Sequence, residues 1–366
     1  MRLKQRISSK LTVRIYVPIL VAAVVSSILV GAVQLTKADG LSLADNTQTS
    51  DWQTVDASLP ASNEGVTTDE AAKAAALALT QNTIITPPHA PTASASPRGL
   101  NLYVNPALAA QGRPSQIASQ PTATWLGEWS GDVQAAANNL VANAAAQNAV
   151  PTIVAYNIPV RDCGSYSAGG ANSSDYYKSW IRQLANGVGQ RKAIIILEPD
   201  ALSQITCLNS NDQAARYANL SDAVTILTSQ TGASVYLDAG HSNWVSASDM
   251  SDRLKKANVG QARGFALNVS NFQTTGSSDS YGDRLTGLTN KPYVVDTSRS
   301  GNGSNGEWCN PRGRALGERP TTNVGGNIDA YLWVKVPGES DGSCNGGPAA
   351  GEWWDDYAQE LIRNSR

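Results

Sequence analysis

Glu198, Pro199 and Asp200 set two carboxylates within three residues, directly after the apolar run Ile194–Leu197. Carboxyl groups can give or take a proton. Two of them in unlike surroundings can do both, because burial or a neighbouring acid raises one pKa and leaves the other low. Acids recur at Asp162, Asp238, Asp296 and the pair Glu339 and Asp341. A lone acid at such a place serves as a helix cap; five converging on one face would instead make a site for general acid–base chemistry. The sequence has no phosphate loop, dinucleotide fingerprint, GxSxG elbow or His pair with metal-ligand spacing, and only two His in all. It therefore predicts neither a metal nor a cofactor. Glycosidic bond hydrolysis needs little beyond what is present: one carboxylic acid protonates the leaving oxygen, and another group activates water or attacks.

Such acids act together only if strands deliver them to one face. Ile194–Leu197 is apolar throughout, as in a strand buried on both faces of a parallel sheet, and Pro199 ends its ladder. Similar short stretches occur at Leu102–Val104, Thr122–Leu126, Thr152–Tyr156, Ser234–Asp238, Gly264–Asn268, Tyr293–Asp296 and Ala330–Val336, with the central one beginning at Ala193. Helical patterns separate most of them, at 131–148, 174–188, 211–229 and 247–257, with another at 352–363; the stretch between 268 and 293 gives no clear pattern. Repeated βα units predict an α/β fold closed into a TIM-like barrel, with its chemistry at the C-terminal strand ends.

The net charge of −2 hides an asymmetry. Residues 1–37 hold six Lys and Arg and no acid, leaving 22 basic against 30 acidic residues and a net of −8 for the rest. An acidic body without a basic stripe excludes nucleic acid as the expected partner. The basic start precedes an apolar run from about 15 to 35, which reads as a secretory signal or an uncleaved membrane anchor. Export with the body outside is the expectation, with a membrane tether through 15–35 as the alternative. Residues 38–97 are rich in Ser, Thr, Ala, Asn and Pro and read as a disordered linker, apart from a capping box at Thr67–Glu70 before a short helix to Leu79. The catalytic domain then spans 98–366. Four cysteines, Cys163, Cys207, Cys309 and Cys344, suit an exported chain with two disulfides. Of three pairings, the one between sequence neighbours is expected. Nine Trp and twelve Tyr against two Phe suit sugar stacking as well as a core.

The stretch Val154 to Gly170 and the run Ile195–Leu202 resemble the two signature motifs of glycoside hydrolase family 6, the inverting cellulases. Asp238 to Trp244, Asp296 to Gly303, Trp308 to Arg314 and Leu332 to Gly342 are similar to further family blocks in the same order, so the resemblance runs from about Leu100 to the C-terminus. It implies a distorted barrel of seven parallel strands, leaving one of the eight strand candidates outside the ring. It also implies the sequential cysteine pairing.

The same resemblance implies roles. Asp200 is the general acid. Asp162 raises its pKa and helps take a proton from water. Asp341 is a base or charge-stabilising acid, and Asp238 tunes the electrostatics. Tyr156 lies against the distorted sugar, with Lys335 and Glu339 on its hydroxyls. Trp125, Trp244, Trp308 and Trp333 are expected stacking platforms, and His241 and Asn268 are expected in the same cleft. Glu198 is expected to face back into the barrel mouth. Inversion through water would place the two carboxyls roughly 6.5–9.5 Å apart. Compact stretches after Asp162 and between Arg299 and Lys335 predict an open cleft and internal cleavage of β-1,4-glucan by a monomer. Exo action and an inactive glycan-binding relative are the alternatives.

Overall fold

The computed structural model describes residues 95–365. The apolar run at 15–35, the capping box at 67–70 and most of the Ser/Thr/Ala/Pro-rich stretch lie outside the described residues. Among those described, no helix is long and apolar enough to cross a membrane.

Seven parallel strands run in sequence order: β1 Thr124–Leu126, β2 Thr152–Ala155, β3 Ile194–Leu197, β4 Ser234–Asp238, β5 Gly264–Leu267, β6 Tyr293–Asp296 and β7 Ile328–Leu332. Their curled sheet is the expected distorted barrel. A short bridge between Thr122 and Trp333, with the Ala123 N–H donating to the Trp333 carbonyl, and the Trp125 indole N–H on the Val334 carbonyl join the β1 and β7 edges. Leu102 makes a single bridge to Val150 and is the strand candidate left outside the ring.

Strand alternation explains why the strands carry no polar face. Val154, Ile194, Ile196, Tyr236, Ala266, Val294 and Ala330 fill the barrel interior. Their neighbours Ile153, Ile195, Leu197, Val235, Leu237, Phe265 and Val295 point outward into the helices. Successive side chains face opposite sides of a strand, so a ring with helices outside needs apolar residues at both parities.

The helices are α1 Ala107–Ala110, α2 Ser115–Ala118, α3 Val133–Ala146, α4 Ser174–Val188, α5 Ser210–Gln230, α6 Ala247–Lys256, α7 Thr275–Thr289 and α8 Asp355–Asn364. Side chains of Asp132, Ser173, Asn209, Ser246 and Thr274 accept from first-turn N–H groups and fix where α3 to α7 begin. Helix α7 is the stretch whose pattern was unclear. Its three glycines and many Ser and Thr residues disfavour a helix, and packing overrides them. Tyr281 and Leu285 are fully buried, and a Cβ on Gly282 would stand 2.4 Å from the Tyr293 ring, so only glycine lets α7 lie on β6.

Candidate active site

The loops leaving the C-terminal strand ends surround a cleft of about 1200 Å³. Asp162, Asp200, Glu339 and Asp341 line it, with Tyr156, Trp125, Trp244, Trp308, Lys335 and His241. Nearly all the expected site residues are thus brought together by loops from β1 to β7.

Asp200 sits just beyond β3. Glu198 and Asp200 both adopt positive φ (52° and 69°), a conformation costly for residues with a side chain and held here by their neighbours. The Asp200 N–H donates to Asp238 Oδ2 at 2.9 Å. Burial, then the negative charges of Asp238 and Asp162, push the Asp200 carboxyl well above the ordinary range. Asp238 is itself buried and raised to about 7 by that burial, although N–H groups of Asp200 and Gly240 favour its anion. It stands behind Asp200 and does not line the cleft.

Asp162 heads the loop after β2, with φ of 53° there and 49° at Cys163. Its Oδ2 accepts from Ser167 N–H at 2.8 Å and its Oδ1 from Gln204 Nε2 at 3.0 Å. The Cys163–Cys207 disulfide and the Arg161 guanidinium hold this loop. Arg161 grips Glu128 with both terminal nitrogens and donates to the carbonyls of Tyr156, Ser167 and Ala168. The loop then crosses to the far wall. Tyr166 packs on Gly342, where an added Cβ would lie 2.6 Å from the ring, and lies 5.9 Å from Trp308.

Asp341 is wrapped by cations. Arg299 Nη1 donates to its Oδ2 at 2.9 Å, the Asn310 N–H adds 3.0 Å, and Lys335 Nζ stands 3.9 Å from Oδ1. Lys335 also lies 4.0 Å from Glu339, whose carboxyl burial pushes upward. The Cys309–Cys344 disulfide ties Asp341's loop to that of Trp308. Both cysteine pairs are therefore the sequential ones.

The aromatic residues divide. Trp244 and Trp308 are exposed on the cleft, 41% and 52% respectively. Trp125 stands edge-on to Tyr156 at 5.2 Å, its indole N–H donating to the Val334 carbonyl. His241 lies against Trp244, and burial pushes its pKa down to about 4, leaving a neutral imidazole. Two expectations need correction. Trp333 is 2% exposed and packs in a core with Ile117, Val336 and Ala358, because the seam between β1 and β7 needs a large side chain on its outer face. Asn268 is fully buried, its amide spent on Gln273 and the Asp296 carbonyl, so it holds loops and does not reach the cleft.

Sequence reasoning missed Arg299, Arg161, Trp129 and Tyr166. Arg299 holds Asp341, Arg161 holds the loop that carries Asp162, and all but Arg299 line the cleft. For three of them the signal was adjacency: Arg161 and Tyr166 flank Asp162, and Trp129 lies just past the β1 Trp125. Among the described residues, no group of three or more His, Cys, Asp or Glu is placed to hold a metal ion.

The family model described as "Glycosyl hydrolases family 6" matches residues 101–365. The chain belongs to that family. Within family 6, it is 49% identical to Endoglucanase A of Cellulomonas fimi over 255 residues, which cover 69% of this chain and 56% of that protein. It is 44% identical to Endoglucanase 1 of Streptomyces halstedii over 259 residues, 68% of this chain and 80% of that one. The chain thus spans little more than half the length of the C. fimi relative. Among solved family 6 structures, it is similar to the endoglucanase Cel6 of Mycobacterium tuberculosis, solved with a methyl-cellobiosyl thio-cellobioside. The TM-score is 0.71 at 43% identity, covering 74% of this chain and 99% of that one.

Proposed function

We propose that the protein is an exported glycosidase that cleaves internal β-1,4-glucosidic bonds of cellulose or a related β-glucan with inversion of configuration. The observation that carries this reading is the placing of Asp200, its carboxyl pushed up by burial and by Asp238 and Asp162, in one cleft with Asp162 and exposed indole rings. An acid kept protonated near neutral pH can protonate a leaving oxygen. The endoglucanase names of the Cellulomonas and Streptomyces relatives support internal cleavage, and the thio-oligosaccharide bound to the Mycobacterium enzyme supports a cello-oligosaccharide in the cleft.

In this mechanism Trp244 and Trp308 stack the glucan, and Trp125 and Tyr156 form the wall beside the reacting sugar. The Asp200 proton passes to the glycosidic oxygen as the bond from that oxygen to C1 breaks. A water adds to C1 from the opposite face, and its proton leaves toward Asp162. Asp341, paired with Arg299, places negative charge near the developing cationic sugar. Lys335 and Glu339 are donor and acceptor for its hydroxyls. His241, neutral and beside Trp244, offers a further polar contact.

Export is supported by the two disulfides, which persist in oxidising compartments. N-terminal sequencing of the mature protein tests it and distinguishes a cleaved leader from a retained tether. The functional reading is tested with Asp200→Ala, which should abolish turnover of unactivated β-glucan while leaving cello-oligosaccharide binding intact. Unchanged turnover would remove Asp200 from the mechanism.

A further inference from the structure

The barrel interior carries apolar residues up to the strand ends and then changes character. The next inward position above Ile196 is Glu198, above Tyr236 is Asp238, above Ala266 is Asn268 and above Val294 is Asp296. All four are buried, between 0% and 2% exposed, and none lines the cleft. They form a polar layer directly on the apolar one.

Each member of this layer binds the backbone of a neighbouring loop. Glu198, at the end of β3, accepts from the N–H groups of Asn157 and Ile158 in the β2 loop, at 3.0 Å each. Asp238, at the end of β4, accepts from Asp200 N–H in the β3 loop. Asn268, at the end of β5, donates its N–H to the Gly240 carbonyl in the β4 loop at 2.7 Å, and its amide donates to the Asp296 carbonyl at 2.9 Å. Asp296, at the end of β6, accepts from Ser270 N–H in the β5 loop at 2.9 Å and from Val334 and Lys335 N–H groups beyond β7 at 3.2 and 3.0 Å. Every loop from β2 to β7 is thereby tied to its neighbour by one strand-end residue.

From this arrangement we infer that Glu198 and Asp296 are positioning residues for the proposed reaction: with Asp238 and Asn268 they form a belt that sets the loops bearing Asp162, Asp200 and Lys335 against one another. Neither touches the cleft. Glu198 joins the backbone leading to Asp162 with a position two residues before Asp200. Asp296 joins the backbone N–H of Lys335 to that of Ser270, whose carbonyl receives Arg299, the partner of Asp341. Four donors converge on Asp296, counting Ser298 N–H at 2.9 Å, more than a helix cap requires. This inference rests on the functional reading given above.

The test is Glu198→Ala, which removes both acceptors, beside Glu198→Gln, which keeps one. Both are assayed on cello-oligosaccharides well below their unfolding temperature, with activity counted per folded molecule. A displacement of about 1 Å between reacting groups can cost about 10²-fold in rate. The belt therefore predicts that Glu198→Ala lowers kcat by about 10²-fold with KM nearly unchanged, and that Glu198→Gln recovers part of it. A folded Glu198→Ala protein with wild-type kcat and KM overturns the inference. Should Glu198→Ala not fold, Asp296→Asn reads the other end of the belt: kcat must fall at constant KM, and an unchanged kcat overturns it. Amide exchange supplies a readout independent of activity. Asn157 and Ile158 should exchange faster in Glu198→Gln than in wild type, whether or not the wild type turns over glucan, and unchanged exchange overturns the belt. Inactive wild-type protein would instead refute the functional reading.

Discussion

The N–H of Asp200 donates to Asp238 Oδ2 at 2.9 Å, so two acids lie side by side with only Asp200 open to the cleft. Asp238 can act on substrate only through its neighbour. Its negative charge opposes ionisation of Asp200, and its oxygen fixes the Asp200 backbone.

Asp238→Asn separates these two effects. The amide oxygen can still accept from Asp200 N–H, while the charge is gone. Asp200 should then ionise more readily, and the alkaline limb of the kcat/KM profile should move to lower pH. A pH–rate series on a soluble β-glucan checks this, and a limb that stays in place would deny Asp238 its influence.

Two tryptophans expected to behave alike should behave differently. Trp308→Ala removes an exposed ring; sugar stacking on it is taken as comparable to an aromatic pair, on the order of 0.5–1.5 kcal/mol. KM for longer cello-oligosaccharides should rise up to about 10-fold, with the melting temperature unchanged. Trp333→Ala empties a core site and should cost about 3–5 kcal/mol of stability, while the folded fraction keeps near-normal kinetics. Thermal melts beside oligosaccharide kinetics separate the two cases.

Stability should fall as pH rises from about 4 to about 7. Burial raises Glu198 and Asp238 to about 7 in the folded protein, whereas both titrate near 4 when unfolded. A folded pKa above the unfolded one means that the protonated form favours the fold. Its contribution is complete below about pH 4 and is lost as pH passes about 7. For Glu198 alone, a shift of this size corresponds to about 3 kcal/mol. The melting temperature should be higher at pH 5 than at pH 8, and Glu198→Gln should flatten that slope. Melts across this range provide the check.

The strands were legible because a ring with helices outside needs apolar residues at both parities, and Ile194–Leu197 or Tyr293–Val295 has no other use for such a run. Helix α7 was not legible, because what makes it a helix is the Tyr293 ring against Gly282, a contact between residues eleven apart that no local pattern records. Asp162, Asp200 and Asp341 were legible as acids placed beyond strand ends. Their difference from Asp296 was hidden, since a carboxylate facing a cleft and one gathering four backbone N–H groups look the same in a sequence. Distance from the strand separates Asp162 and Asp341 from the buried acids, though not Asp200, which shares the parity of Glu198. Glu198, Asp238 and Asp296 continue the inward-facing register of their strands, whereas Asp162 and Asp341 lie on loops well beyond theirs. Trp333 misled for a related reason: an indole one residue past β7 suits a sugar platform or a barrel seam equally well, and only the Thr122 bridge decides.

Inversion by a single displacement is the centre of the mechanism, with Asp200 protonating the leaving oxygen as water adds from the opposite face. Proton NMR of cello-oligosaccharide hydrolysis, recorded before mutarotation, reads it directly. The newly formed reducing ends should first appear in the α configuration and only later equilibrate. Initial products in the β configuration would contradict the mechanism and require a covalent intermediate in its place.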